Sequence, residues 1–187
     1  GTLKVSNIQT SSGSGTITLG QSGETVSVPS GATLDMSSGT ITLNSSMKAT
    51  PAFHAVRTSS QSISTNTNTK VQFDTEDFDT DNCYDNSTNY RFTPGVSGKY
   101  YLYAGVRPNQ TDDFNESQIY IRKNGSDVAL ATKRNTYSDT VHCYTTVASD
   151  TDDYFEVFYY HTRGSSLNLS GNSNSYTYFG GYKLIGA

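Results

Sequence analysis

Four Ser-Gly pairs, at residues 14, 22, 30 and 38, cut the early part of the chain into blocks of eight: SGTITLGQ, SGETVSVP, SGATLDMS and SGTITLNS. A beat this regular constrains the fold strongly, because repeated units bury their apolar faces by stacking on one another. Within the blocks the apolar residues come as i, i+2 pairs: Ile17 and Leu19, Val26 and Val28, Leu34 and Met36, Ile41 and Leu43. That spacing puts both side chains of a pair on one face of a short strand. The Ser-Gly between pairs supplies a turn, where glycine takes a positive φ without a steric cost. A flexible Gly/Ser linker has no reason to hold Ile, Val and Leu in phase. Two modest apolar residues per block do not offset backbone ordering, which costs about 1–2 kcal/mol per residue. Several chains sharing one axis pool their faces. Residues 1–50 are therefore expected to form an intertwined oligomeric β-repeat stalk, with Ile17, Leu19, Val26, Val28, Leu34, Ile41 and Leu43 in its shared interior.

The composition changes at residue 51. No aromatic residue precedes it, and all 14 Tyr and 8 Phe follow it. Segments with strand-like alternation recur: 51–58, 71–73, 89–93, 99–107, 118–123, 127–132, 140–148, 154–161 and 176–185. Asn124-Gly125 between two of them is a strong hairpin signal. Many β-branched and aromatic residues and no helical period indicate an all-β chain, with a sandwich or jelly roll over 51–187. Net charge is −4, which argues against a nucleic-acid partner, since phosphate binding needs a concentrated positive surface. No run of 18 apolar residues is present, so no membrane-spanning helix is expected. No charged segment followed by an apolar one opens the sequence, so no secretory signal is expected.

One set of spacings has a known counterpart. Phe73, five residues, Asp79, four residues, Tyr84, seven residues, Phe92, five residues, then Gly98-Lys99-Tyr100-Tyr101-Leu102 resembles the C1q globular-domain signature. PAFHAV at 51–56 looks like that family's first strand, Lys123-Asn124-Gly125 like its KNG turn, and FGGYKLIG at 179–186 like its closing strand. The chain departs from the pattern by one extra residue between Tyr84 and Phe92, and by Leu102 and Ala104 where aromatics are usual. The resemblance to a C1q/TNF-like domain implies a ten-stranded jelly roll that forms compact homotrimers. It also implies that Phe53, Tyr100, Phe179 and Tyr182 are core or trimer-contact residues. The opening GTLKVSNIQ with its octets is similar to the start of many small virion proteins of tailed phages, in which a trimeric stalk carries a trimeric knob.

Candidate chemistry is sparse. Asp74 to Asp85 holds six carboxylates and no Lys or Arg. Asp77, Asp79 and Asp81 have the D-x-D-x-D opening of a calcium loop, but Asn82 stands where the EF-hand requires Gly and Thr88 where it requires Glu. The stretch reads first as a solvated acidic loop, with those three residues as the calcium candidate, the one cofactor the sequence offers. Cys83 and Cys143 read as thiols packed like small apolar groups, with a cross-strand disulfide open if they meet in space. His54, His142 and His161 fall in or at the ends of strands and read as structural. No nucleophile elbow and no HExxH is present, so no catalytic residue is assigned and no enzyme is expected. Tyr84, Tyr90, Tyr137, Tyr144, Tyr159, Tyr160, Tyr176 and Tyr178 exceed the needs of a core, and Tyr137, Tyr176 and Tyr178 are the candidate ligand-binding residues. The Ser/Thr/Asn-rich segments 60–70, 108–117, 134–139 and 163–175 are the candidate binding loops.

Two functions fit. One is a trimeric phage virion fibre or spike, held to other virion proteins by its stalk, whose knob binds a host-surface receptor or glycan. The other is a structural virion protein, such as a capsid decoration, head fibre or baseplate component, without receptor binding. Both place the chain in the virion, assembled in the host cytoplasm.

Overall fold

The structure, a computed structural model, describes residues 4–6, 8–11, 15–44, 47–110, 114–171 and 176–186. The chain divides into two units, Gly1–Thr42 and Leu43–Ala187. Leu43, grouped with the stalk from its spacing, thus falls in the second unit.

In the first unit the octets appear as turns. Backbone hydrogen bonds close them from Glu24 to Gln21, from Ala32 to Pro29 and from Gly39 to Met36, at 3.0, 3.0 and 3.1 Å. Ser22-Gly23 and Ser30-Gly31 occupy the middle of the first two turns, and the two glycines have φ of 86° and 82°. The conformation demands glycine there. The strands expected between the turns are absent among the described residues of this unit. Ile17, Leu19, Val26, Val28, Leu34 and Ile41 are all exposed, Leu34 to 68%. The physical reason is that a strand needs a ladder partner, and none pairs with these segments among the described residues.

The second unit contains fourteen strands among its described residues, where ten were expected: β1 Ala52–Val56, β2 Gln61–Ile63, β3 Thr69–Lys70, β4 Thr75–Asp79, β5 Tyr84–Asp85, β6 Arg91–Phe92, β7 Gly98–Val106, β8 Pro108–Asn109, β9 Phe114–Lys123, β10 Ser126–Thr136, β11 Val141–Ser149, β12 Phe155–His161, β13 Leu167–Leu169 and β14 Tyr178–Lys183. The excess comes from pieces two or three residues long. One sheet runs β11-β7-β14-β1-β4, and a second runs β10-β9-β12-β6-β5 with β3 on β12. A small third sheet runs β2-β13-β8. Every recorded pairing is antiparallel and most join strands distant in sequence, the pattern of a jelly roll. Asn124 and Gly125 turn β9 into β10 with φ of 50° and 82°, as the hairpin signal requires.

Alternation explains which side chains the two large sheets share. Tyr100, Leu102, Ala104 and Val106 point inward from β7, and Phe53 and Ala55 from β1. Ile119 and Ile121 from β9 and Phe155, Val157 and Tyr159 from β12 meet them from the other sheet. The expected strand 71–73 is not one. Val71 and Phe73 are fully buried, but only isolated bonds such as Val71 N–H to the Val157 carbonyl (2.8 Å) hold that backbone. The acidic stretch, expected as a loop, forms β4 at the edge of its sheet. Charged side chains suit an edge because they discourage further strand pairing.

His161 is fully buried. Its Nδ1 accepts the Arg163 N–H at 3.3 Å, which leaves Nε2–H to donate to the Ile63 carbonyl at 3.2 Å. Burial pushes its pKa down, so the folded chain keeps it neutral. The unfolded chain takes up a proton below about pH 6.5. Stability contributed by neutral His161 is therefore complete above that pH and falls as pH drops toward the folded-state value. Thermal unfolding followed from pH 8 to pH 5 is expected to show this loss, and His161→Gln is expected to remove the part of it that begins near pH 6.5.

Candidate functional site

The outward face of the β11-β7-β14-β1-β4 sheet is the most distinctive surface of the second unit. Alternation that sends Tyr100 and Leu102 inward sends Tyr101 and Tyr103 outward from β7. It does the same for Tyr178 and Tyr182 on β14, His142 and Tyr144 on β11, and His54 on β1. The rings form a connected layer: Tyr101 lies 5.6 Å from Tyr182 and 6.1 Å from Tyr103, and Tyr103 lies 6.2 Å from Tyr178 and 6.0 Å from His54. Tyr178 donates or accepts a 2.9 Å hydrogen bond with His142 Nδ1.

Two glycines shape this layer. Tyr103 is paired in register with Gly180, and Tyr178 with Gly105. A Cβ on Gly180 would lie 2.4 Å from the Tyr103 ring, and one on Gly105 would lie 2.7 Å from the Tyr178 ring. Each tyrosine therefore lies flat across a notch in the neighbouring strand. The bulge between His54 and Ala55 adds Asp77 to the same face, since one extra residue in β4 re-aims its side chain. Asp77 Oδ2 sits 2.9 Å from His54 Nδ1. Apart from Lys99, the outward positions of β7, β14, β1 and β11 carry no formal charge outside the histidines, and Asp77 joins them from β4.

The three calcium candidates are not brought together. Asp77 engages His54. Asp79 turns the other way, accepting the Tyr84 N–H at 2.8 Å, the Cys83 thiol at 3.0 Å and the Asp81 N–H at 3.3 Å. Asp81 accepts the Thr80 hydroxyl at 2.8 Å. Burial alone would raise the Asp79 pKa, but these hydrogen bonds hold it below the usual carboxylate range. Among the described residues no group of three or more His, Cys, Asp or Glu is arranged to hold a metal ion. The D-x-D-x-D spacing suggested ligands on one loop, whereas β4 and its bulge send the carboxylates to different faces.

Other sequence candidates separate cleanly. Phe53, Tyr100 and Phe179 are fully buried, while Tyr182 belongs to the outer face. Tyr84 and Tyr159, counted as surplus tyrosines, are core residues. Tyr137 is exposed on its loop, and Tyr176 lies beneath the Arg107 guanidinium, 4.1 Å from its centre. Cys83 and Cys143 are buried free thiols, and burial pushes both of their pKa values up. The histidines contact Asp77, Tyr178, the Ile63 carbonyl and the Arg163 N–H, and no serine or cysteine nucleophile among the described residues. Sequence reasoning missed Tyr101, Tyr103, Gly105 and Gly180. Their signal was the period of two in KYYLYAGV and FGGY, which fixes a face once the inward residues are known.

No protein-family profile and no curated protein matches the chain. Solved structures do. The globular domain of zebrafish complement 1qA protein matches at 14% identity with a TM-score of 0.50, over 72% of this chain and 97% of that one. Murine APRIL, in a crystal structure at pH 5.0, matches at 17% identity with a TM-score of 0.51, over 71% of this chain and 98% of that one. The fold is thus a C1q/TNF-like jelly roll.

The two adjacent glycines of β14 separate face from core. A Cβ on Gly181 would come within 2.4 Å of Leu102 and 3.0 Å of the Tyr101 carbonyl. Gly181→Ala is expected to destabilise the fold by about 1–3 kcal/mol through overpacking. Gly180→Ala meets only the far end of the Tyr103 ring, which can swing outward. Urea unfolding should show the larger loss for Gly181→Ala, and equal losses would contradict this assignment.

Proposed function

We propose that this chain is a trimeric virion attachment protein, a fibre or spike whose jelly-roll knob binds a host-surface receptor or glycan. The observation that carries the reading is the Tyr/His face of the β11-β7-β14-β1-β4 sheet. Monomeric proteins rarely display a continuous aromatic layer of this kind. Aromatic enrichment with few charges is the signature of a buried interface core. A closed ring of three copies covers the face in every copy, whereas an isolated copy leaves Tyr144 and Tyr182 in water. The exposed apolar residues of 15–44 give the same reason to associate, and the C1q resemblance of the sequence implies trimers.

Attachment follows from what remains outside such an interface. The Ser/Thr/Asn-rich loops between strands are free to contact a ligand, as loops on a rigid sandwich are. The histidine contacts supply no activated nucleophile, which favours binding over hydrolysis. The stalk is taken to hold the knob to other virion proteins, with no nucleic acid or membrane partner.

Immunogold electron microscopy of particles, with antibody raised against residues 51–187, tests the placement. Gold at a tail or fibre tip is the expected result. Gold spread over the capsid shell would assign the chain to a structural role and overturn attachment.

A further inference from the structure

A cleft of about 380 Å³ opens where several of the Ser/Thr/Asn-rich loops meet. It is lined by Arg107, Tyr176, Ser60, Asn109, Ser170 and Leu169, among others. Strand pairing builds it: β13 lies beside β8, with Asn168 opposite Asn109 and Leu169 opposite Pro108. The Ser170 N–H then donates to the Arg107 carbonyl at 2.8 Å. Gly171 closes the wall. A Cβ there would lie 2.1 Å from the Ser59 carbonyl group, so the two backbones touch and only glycine fits.

Arg107 is the cation of this cleft. Its guanidinium stacks on Tyr176 at 4.1 Å and forms no ion pair among the described residues. Stacking holds the planar fork in place while leaving its N–H edge free. Asp139 feels its charge but is bound to Lys133 at 2.8 Å. Among the described residues no carboxylate lines the cleft. The side chains of Ser60, Asn109 and Ser170 make no hydrogen bond among the described residues. A cation with an open fork, surrounded by hydroxyl and amide groups and one apolar wall, matches a ligand with one carboxylate and several hydroxyls.

The geometry points to a subsite for a carboxylated saccharide, a uronate-type sugar whose carboxylate pairs with Arg107 and whose hydroxyls meet Ser60, Asn109 and Ser170. This deepens the attachment reading and rests on it. A second cleft, of about 470 Å³, provides an internal contrast. There Arg91 also stacks on a tyrosine, Tyr154, at 4.6 Å, but Glu76 and Asp85 share the lining and repel an anion.

Isothermal titration of the full chain with tetragalacturonate, and with its methyl ester as a neutral probe of the same rings, tests the assignment. Binding of the acid is expected, with the methyl ester at least about tenfold weaker. Arg107→Gln should weaken acid binding by about tenfold or more, Arg107→Lys should fall between, and Arg91→Gln should leave it unchanged. Equal binding of acid and ester by the unaltered chain would overturn the proposal without reliance on any variant. So would absence of binding, or full affinity in Arg107→Gln. Gold at a fibre tip combined with no uronate binding would sink this site alone and leave attachment standing.

Discussion

The ring of Phe53 stacks on Phe92 at 4.4 Å and on Tyr84 at 5.0 Å, and it meets Phe179 edge-on at 4.9 Å. Those contacts tie β1 and β14 of one sheet to β5 and β6 of the other. Aromatic pairs in these arrangements add to what their burial already contributes. Once Phe53 is fixed inward, the period of two decides the rest of the sheet. His54 must face out, as must Tyr101 and Tyr103 on β7 and Tyr178 and Tyr182 on β14. The same constraint that makes the core therefore makes the aromatic face.

That face and the apolar residues of the octets present one physical problem in two places. Each is apolar or aromatic surface that a single copy leaves wholly or partly in water. The association proposed above is one arrangement that covers both. Local chemistry sets the turns, because Gly23 and Gly31 need only their own backbone.

Much of the fold was legible in the sequence. The alternation in 99–107, the Asn124-Gly125 turn and the spacing from Phe73 to Leu102 all describe residues whose neighbours in space impose one solution. Phe73, Tyr84, Phe92 and Tyr100 lie in one core, although Tyr84 read from the sequence as a surplus tyrosine. What could not be read was decided by pairing. β4 was hidden because its carboxylates look like a loop, and only an edge position makes them suitable for a strand. Asp77, Asp79 and Asp81 looked like ligands on one side of a loop until a bulge and a turn divided them. Val71 and Phe73 carried a strand's burial without a strand's ladder, since apolarity reports burial and not hydrogen bonding. The cleft around Arg107 joins residues from 60 to 176, and no local pattern foretells such a meeting.

In the proposed trimer three copies meet through the Tyr/His face. Sedimentation equilibrium of the full chain measures it directly. A mass three times the 20.3 kDa of one chain is expected, falling toward that of one chain when Tyr103→Asp and Tyr178→Asp are combined. A single-chain mass for the unaltered protein, or a trimer indifferent to both charges, would contradict it.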